Sequence, residues 1–217
     1  MKKIVNILLL FYCSMLYSQT HKAIYSFKME KNPTTGSTEL SDSVNELSEL
    51  NSLIVYFNTK HSYYTSQNTE LGNPNLSDAL AGTYYPLKYD IEERKFLYNH
   101  QFDKLYCVED NYLPLWEITS ESKNISGFDC LKAVGKLKKG DENYTYIEAW
   151  FTPEITYNVG PNFFVDLPGL IIYLVDRNQF IYKLESIEFN NNTINPSDIN
   201  FEGTLIDYEK YSKLMEM

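Results

Sequence analysis

The side chains able to do chemistry are few and scattered. Downstream of residue 18 there are two cysteines, Cys107 and Cys130. In an oxidising compartment such a pair reads first as a disulfide. Two buried free thiols are the second reading. A nucleophilic cysteine is the third, and it needs a nearby base and a depressed pKa that no motif here supplies. The three histidines, His21, His61 and His100, stand isolated in the chain and read as surface residues. No Cys or His cluster has the spacing of a zinc site, so neither a metal nor a cofactor is expected. Glu92-Glu93, Glu109-Asp110 and Asp141-Glu142 are acidic pairs. Carboxylates act as acid and base in sugar hydrolysis only at a defined separation in space, and pairs at turns are usually solvated. The phosphate-binding loop, the dinucleotide glycine pattern, the esterase elbow and the His-Glu-x-x-His helix are absent from the sequence. No catalytic residue is therefore assigned.

Tyrosine is the compositional outlier, with 19 residues against 12 Phe and 2 Trp. Tyr63-Tyr64, Tyr84-Tyr85, Tyr144 and Tyr146 are candidates for lining a groove that takes an apolar or sugar ligand. The plainer reading is that alternate tyrosines pave a sheet, where such side chains fit a half-buried pleated surface.

These residues must be positioned by a small fold. The chain has 217 residues, 43% of them apolar, which suits one globular domain. Its formal charge of −10 repels phosphate backbones, so nucleic acid is not an expected partner. Lys2 and Lys3 precede an apolar stretch from Ile4 to Leu16, and Ser18 is a small residue suited to the position before a cut. Residues 1–18 are thus expected to be a secretory signal peptide, with Gln19 the mature N-terminus. Cys13 follows Phe11-Tyr12, which departs from the small residue that lipidation requires. No later segment reads as a membrane span, because Phe163 to Val175 is broken by Asp166, Pro168 and Gly169. Residues 19–217 are expected to form a single β-rich domain.

Period-two alternation marks Ala23 to Glu30 and Gln179 to Phe189 as strands. Leu53 to Phe57 and His61 to Ser66 read as a hairpin. Lys95 to Tyr98, Lys104 to Val108, Leu115 to Ser120, Cys130 to Leu137, Tyr144 to Phe151 and Leu170 to Val175 read as further strands. Asn32 to Ser37, Glu121 to Gly127 and Lys138 to Asn143 read as turns or loops. Ser43 with Glu46 suggests a capping box opening a short helix whose apolar face is Val44, Leu47 and Leu50. Residues 68–90 read as a long loop with one helical turn near Asp78 to Ala81. Leu205 to Met217 reads as a strand running into a short helix. Nine or ten short strands without long helices between them predict a mainly β fold. The expected form is an antiparallel sheet, curved like a half-barrel, with one or two short helices.

One stretch carries a resemblance. It holds Trp116, then Gly127-Phe128-Asp129-Cys130-Leu131-Lys132-Ala133, then Trp150-Phe151-Thr152-Pro153. It continues with Gly160-Pro161 and closes on Leu167-Pro168-Gly169-Leu170-Ile171. In order and spacing these motifs resemble the GLPGLI family, exported proteins of unknown function from Bacteroidetes-type bacteria. The resemblance implies export to the periplasm or cell envelope and supplies no reaction. Asp166 stands where the family name has its first glycine. Aspartate tolerates a left-handed backbone better than most residues, so the turn is expected to survive. Pro168-Gly169 suits the centre of a type II turn leading into a buried strand.

The leading functional expectation is a non-enzymatic envelope protein that binds an apolar ligand or a peptide. The alternatives are an accessory of an outer-membrane transporter and, third, a hydrolase with dispersed catalytic residues. A large apolar pocket favours the first, an open sheet edge the second, and a cleft converging carboxylates or a histidine the third.

Overall fold

The computed structural model describes residues 19–30, 38–139, 143–177 and 179–216. The expected leader, the Asn32 to Ser37 loop, the Gly140-Asp141 turn with the Asp141-Glu142 pair, and Asn178 lie outside the described residues. Strands β1 (His21–Met29), β2 (Leu53–Phe57), β3 (His61–Ser66), β4 (Leu87–Asp90), β5 (Lys95–Gln101) and β6 (Leu105–Asp110) run as one antiparallel meander. Strands β7 (Leu115–Ile125), β8 (Phe128–Lys139), β9 (Asn143–Thr152), β10 (Leu170–Asp176) and β11 (Phe180–Glu188) form a second. β1 also pairs with β11, which fuses the two meanders into one sheet. β12 (Thr204–Asp207) lies parallel to β6 at one edge, and β7 is the other edge of the twelve strands. The helices are short: α1 (Thr38–Glu49), α2 (Gln67–Glu70), α3 (Leu76–Ala81) and α4 (Tyr208–Met215), with a 3₁₀ turn at Pro196–Asp198.

The sheet is curved, and two contacts prove it. Phe163 packs edge-on against Phe96 of β5, with ring centroids 4.8 Å apart. Two residues later, the Val165 carbonyl accepts the indole N–H of Trp116 on β7 at 2.8 Å. β5 and β7 are nine strand spacings apart in the sheet, about 43 Å if the sheet were flat, at ~4.8 Å per spacing. Both touch one short piece of chain, so the sheet must wrap around it. That piece belongs to residues 153–169, the long connection between β9 and β10.

The hollow of the curve is the core. β1 supplies Ala23, Tyr25, Phe27 and Met29 to it, all buried, while the residues between them point outward. Phe164, Val165 and Leu167 of the connection are buried against this face. The abundance of tyrosine has its reason here. Tyr25 donates its hydroxyl to the Ile171 carbonyl at 2.7 Å, and Tyr64 donates to the Ala81 carbonyl at 3.0 Å. The rings fill the core while the hydroxyls satisfy backbone acceptors. Asp78 of α3 is fully buried, and its carboxylate accepts from Asn51, Ser66 and Thr83 side chains and from the Asn75 backbone N–H. That network ties α3 to β3 and to the chain before β2.

The Leu167-Pro168-Gly169-Leu170-Ile171 segment is a folding device. Asp166 takes the left-handed conformation, φ 76°, as expected of a residue in a glycine's place. Its carboxylate accepts from the Tyr89 hydroxyl at 3.2 Å and pairs with Arg94. The expected type II turn is not what forms. Gly169 N–H donates to the Leu167 carbonyl at 2.7 Å, a three-residue turn around Pro168. A Cβ on Gly169 would strike the Thr152 carbonyl, so only glycine lets β10 begin this close to the end of β9.

Several expectations need correction. Helix α1 starts at Thr38, so Ser43 lies inside it and caps nothing. Its buried positions are Ser41, Val44 and Ser48, and Leu50 faces solvent. The helix is held instead by Asn45, whose side-chain amide exchanges hydrogen bonds with the Met29 backbone. β4 lies where a loop was expected. The polar stretch Glu121 to Ile125 continues β7, and the turn is only Ser126-Gly127, with φ 53° and 90°, the double positive φ of a type I′ hairpin. An edge strand exposed on both faces has no apolar alternation to show in its sequence.

The disulfide does not form. Cys107 and Cys130 are both free and buried. Cys107 lies on β6 and Cys130 on β8, nine strand spacings apart, and bonded cysteines need Cα atoms within about 7 Å. Burial pushes both thiols up, Cys130 to about 11, the opposite of an activated nucleophile.

Two outcomes follow from this packing. Leu170 is fully buried, so Leu170→Ala is expected to cost about 2–5 kcal/mol in urea melts. Thiol labelling of the unfolded, unreduced protein is expected to modify both Cys107 and Cys130; protection of both would contradict the fold.

Candidate functional site

The curve leaves an apolar cleft open at its rim. It holds about 210 Å³. Tyr84 and Tyr85 form one wall, just before Pro86 fixes the entry into β4. Tyr98 and His100 of β5 form another, with Phe163 of the 153–169 connection beside them. The rings meet edge to face: Tyr84 with Tyr85 at 5.0 Å, and Tyr98 with Phe163 at 5.9 Å and 89°. Ala79, Gly82 and Leu87 complete the lining. Among the described residues no carboxylate lines the cleft. Its one imidazole is tied to α4, with His100 Nδ1 2.5 Å from the Tyr211 hydroxyl. Burial lowers the pKa of His100, and burial with the Asp110 carboxylate nearby raises that of Tyr98, so both stay neutral near pH 7.

Of the tyrosines expected to line a groove, Tyr84-Tyr85 do so. Tyr64 is core, Tyr63 stacks on Tyr56 on the outer face, and Tyr144 and Tyr146 are exposed on β9. Tyr98, His100 and Phe163 complete the cleft from two distant segments, and nothing in their spacing announces it.

The residues of the family resemblance build the scaffold beside the cleft. Lys132 and Trp150 face each other across β8 and β9 on the outer face. Lys132 reaches Glu121 and Glu148, each at 3.2 Å, and Lys123 lies 3.8 Å over the Trp150 ring. The lysine stems cover the indole, which is 6% exposed. Ala133 pairs with Ala149, both fully buried. Trp116 lies flat on Gly135, where a Cβ would sit 2.5 Å from its ring. Gly127 forms the β7–β8 turn, and Cys130 is a buried thiol. Pro153 opens the connection after β9, and Gly160-Pro161 lies within it, where the Pro161 carbonyl accepts the Phe164 N–H at 3.1 Å. Leu167, Gly169, Leu170 and Ile171 are buried, and Pro168 is exposed.

The two acidic pairs among the described residues do not converge. Glu92 and Glu93 lie in the β4–β5 turn, and Glu109 pairs with Lys95 at 2.9 Å. Asp110 is buried, and burial pushes its carboxyl up to about 6, opposed by the Tyr112 N–H and helped by Asp207. Among the described residues no group of three His, Cys, Asp or Glu side chains is placed to hold a metal. The histidines are all engaged. His21 is buried between Phe57, Phe189 and Tyr157. His61 stands on the outer face between Ser197 and Asp90.

Comparison with known proteins places the fold and leaves the chemistry open. A family described as a protein of unknown function, Porph_ging, matches residues 135–173. That stretch contains Trp150 and the Leu167-Pro168-Gly169-Leu170-Ile171 segment, and the match is compatible with the GLPGLI resemblance. No curated protein matches. Two crystal forms of PNGF-II share the fold, each with a TM-score of 0.62 over 91% of this chain, at 16% and 17% identity. The chain spans 33% of the PNGF-II chain.

His21 yields a pH test. Its Nδ1 accepts the Asn190 N–H at 3.1 Å, so Nε2 carries the proton toward the Tyr157 hydroxyl at 2.7 Å and the ring is neutral. Burial holds its pKa below the ordinary histidine value. The unfolded chain therefore takes up the proton first. The stability contributed by the neutral ring is complete above about pH 6.5 and is lost as the pH falls below it. Urea melts from pH 7.5 to 5.5 are expected to show this decline, with a shallower slope in His21→Gln.

Proposed function

We propose that the chain is an exported cell-envelope protein of the GLPGLI type that binds a peptide by one aromatic or branched apolar side chain, without reacting with it. The observation that carries this reading is the aromatic cleft of Tyr84, Tyr85, Tyr98, His100 and Phe163. Its 210 Å³ is more than the roughly 150 Å³ that accommodates a benzene ring. It is less than the roughly 300 Å³ where pockets for whole small molecules begin. One ring fits, and the rest of its peptide lies outside. A lipid carrier would need the hollow of the sheet, and Phe164, Val165 and Leu167 fill that hollow. Among the described residues no helix is long and apolar enough to cross a membrane. The export half of the proposal rests on Lys2, Lys3, the apolar stretch after them and Ser18.

A second reading, an accessory of an outer-membrane transporter, is favoured by the open β7 edge. Leu115 is 68% exposed there and Ile118 47%. An unpaired strand of this kind accepts an added strand from a partner.

Titration with N-acetyl-tryptophanamide and with a phenylalanine-containing tripeptide, followed by NMR, tests the cleft. Shifts are expected at Tyr84, Tyr85 and Tyr98. Tyr84→Ala removes an exposed ring and is expected to weaken binding roughly 2- to 10-fold, the worth of one aromatic contact. Shifts confined to β7 would instead support the edge reading.

A further inference from the structure

A second polar constellation lies on the outer face, away from the cleft. His61 at the start of β3 and Asp90 at the end of β4 are directly opposite across the two strands. Above them sits the 3₁₀ turn Pro196–Asp198, pinned by Lys88, whose ammonium donates to the carbonyls of Ser197 at 3.4 Å and Ile199 at 2.8 Å.

The hydrogen bonds in this cluster have one consistent direction. Asn58 Oδ1 accepts the backbone N–H groups of Lys60 and His61, at 2.8 and 2.9 Å, which fixes how its amide points. Its Nδ2 therefore donates to Ser197 Oγ, at 3.0 Å. Asp90 Oδ1 accepts the N–H groups of Glu92 and Glu93, at 3.0 and 2.9 Å, and turns Oδ2 to within 3.3 Å of His61 Nε2. A proton on Nε2 faces that carboxylate, so Nδ1 keeps its lone pair. Nδ1 lies 3.0 Å from Ser197 Oγ, which has its own proton left to give. The order is Asn58 to Ser197 to His61 to Asp90.

We propose that Ser197, His61 and Asp90 are a nucleophilic relay that hydrolyses small acyl esters. Ser197 Oγ attacks the carbonyl carbon of the ester as its proton passes to His61 Nδ1. The bond from that carbon to the alkoxy oxygen breaks, and His61 returns the proton to the departing alcohol. A water molecule from solvent then attacks the acyl-serine, giving one proton to His61. The carboxylic acid leaves, and the proton returns to Ser197 Oγ. Asn58 Nδ2 donates to Ser197 Oγ and holds the nucleophile in place, and Lys88 holds the 3₁₀ turn that carries it. Asp90 is a positioning residue that acts through His61. The serine uses Nδ1 and the carboxylate Nε2, the reverse of the serine-protease arrangement, and such constellations are recognised by role rather than sequence order. The side chains of His61 and Asp90 are 18% and 22% exposed, so the pair is reached from solvent. Burial and the charges of Lys88 and Lys60 lower the pKa of His61 against the pull of Asp90, which keeps the base unprotonated at neutral pH.

A fluorophosphonate is the probe, applied to the folded full chain with mass spectrometric mapping. One phosphonyl group is expected on Ser197, with none in Ser197→Ala. His61→Gln is expected to slow labelling by roughly 100-fold or more, the contribution of a general base, with an unchanged circular dichroism spectrum. Wild-type labelling is expected to fall on acidification below about pH 6.5 as His61 takes up a proton. Asp90→Asn is expected to move that fall to lower pH, because the lost carboxylate is the group that raises the proton affinity of His61. p-Nitrophenyl acetate is expected to be turned over by the same variants in the same rank order. A folded wild type that leaves Ser197 unlabelled overturns the proposal. So does labelling that is flat from pH 5 to 8, a reading that stands even where His61→Gln fails to fold.

Discussion

Among the described residues the inner face of the sheet has no second sheet to pack against, and residues 153–169 do most of that work. A twelve-stranded sheet exposes a wide apolar surface, and a fold must bury it or curl it shut. Here the curl stops short of closure, and this connection fills the hollow together with Val44 of α1 and Ala81 of α3. Its contacts reach β7 through Trp116, β4 through Tyr89, β5 through Phe96 and β1 through His21. The start of β10, the placing of Phe163 at the cleft and the left-handed turn at Asp166 all depend on how this connection sits. The short segment Leu167 to Ile171 matters because it returns the chain from the hollow to the sheet without a clash against Thr152.

The two functional proposals stand differently to that geometry. The cleft is the part of the hollow that the connection leaves unfilled, bordered by rings from three separate segments. The outer-face relay owes nothing to the core. It depends on the register of β3 against β4, which sets His61 opposite Asp90, and on a polar loop that folds back over them. Shifting that register by one residue would turn one of the two side chains inward and dismantle the pair. One site is thus a by-product of packing, and the other of strand alignment.

What the sequence discloses follows from how locally each feature is encoded. β1 and β11 alternate clearly because one face of each is core and the other is solvent, and β2 and β3 are bounded by a short polar turn. β4 is four residues behind Pro86 and carries too little pattern to stand out. β7 beyond Ser120 is polar on both faces because it is an edge, and it reads as a turn. The cysteines read as a pair because redox logic counts residues, whereas the sheet order that separates them is a long-range property. Tyr84-Tyr85 could be picked out by type. His61, Asp90 and Ser197 could not be joined, since they come from three distant segments, and the only local hint is the Asn195-Pro196-Ser197-Asp198 turn.

The pairing of β1 with β11 joins residues near 25 to residues near 184. It places the first strand of the described chain in the middle of the sheet. A polypeptide emerging amino end first can pair β1 with β2 at once, but the other edge of β1 waits for most of the chain. During that wait Tyr25 and Phe27 have no neighbour on one side. Contacts of such long sequence separation carry the entropy of closing a long loop before they return any stabilisation, which makes them slow to form. The order of arrival offsets part of this, because residues 153–169 precede β11 and can cover the open face before the seam closes. Closing of this seam is therefore a late long-range event, followed by the docking of β12 on β6, and the interval before it is when an unpaired central strand is most open to pairing with the wrong chain.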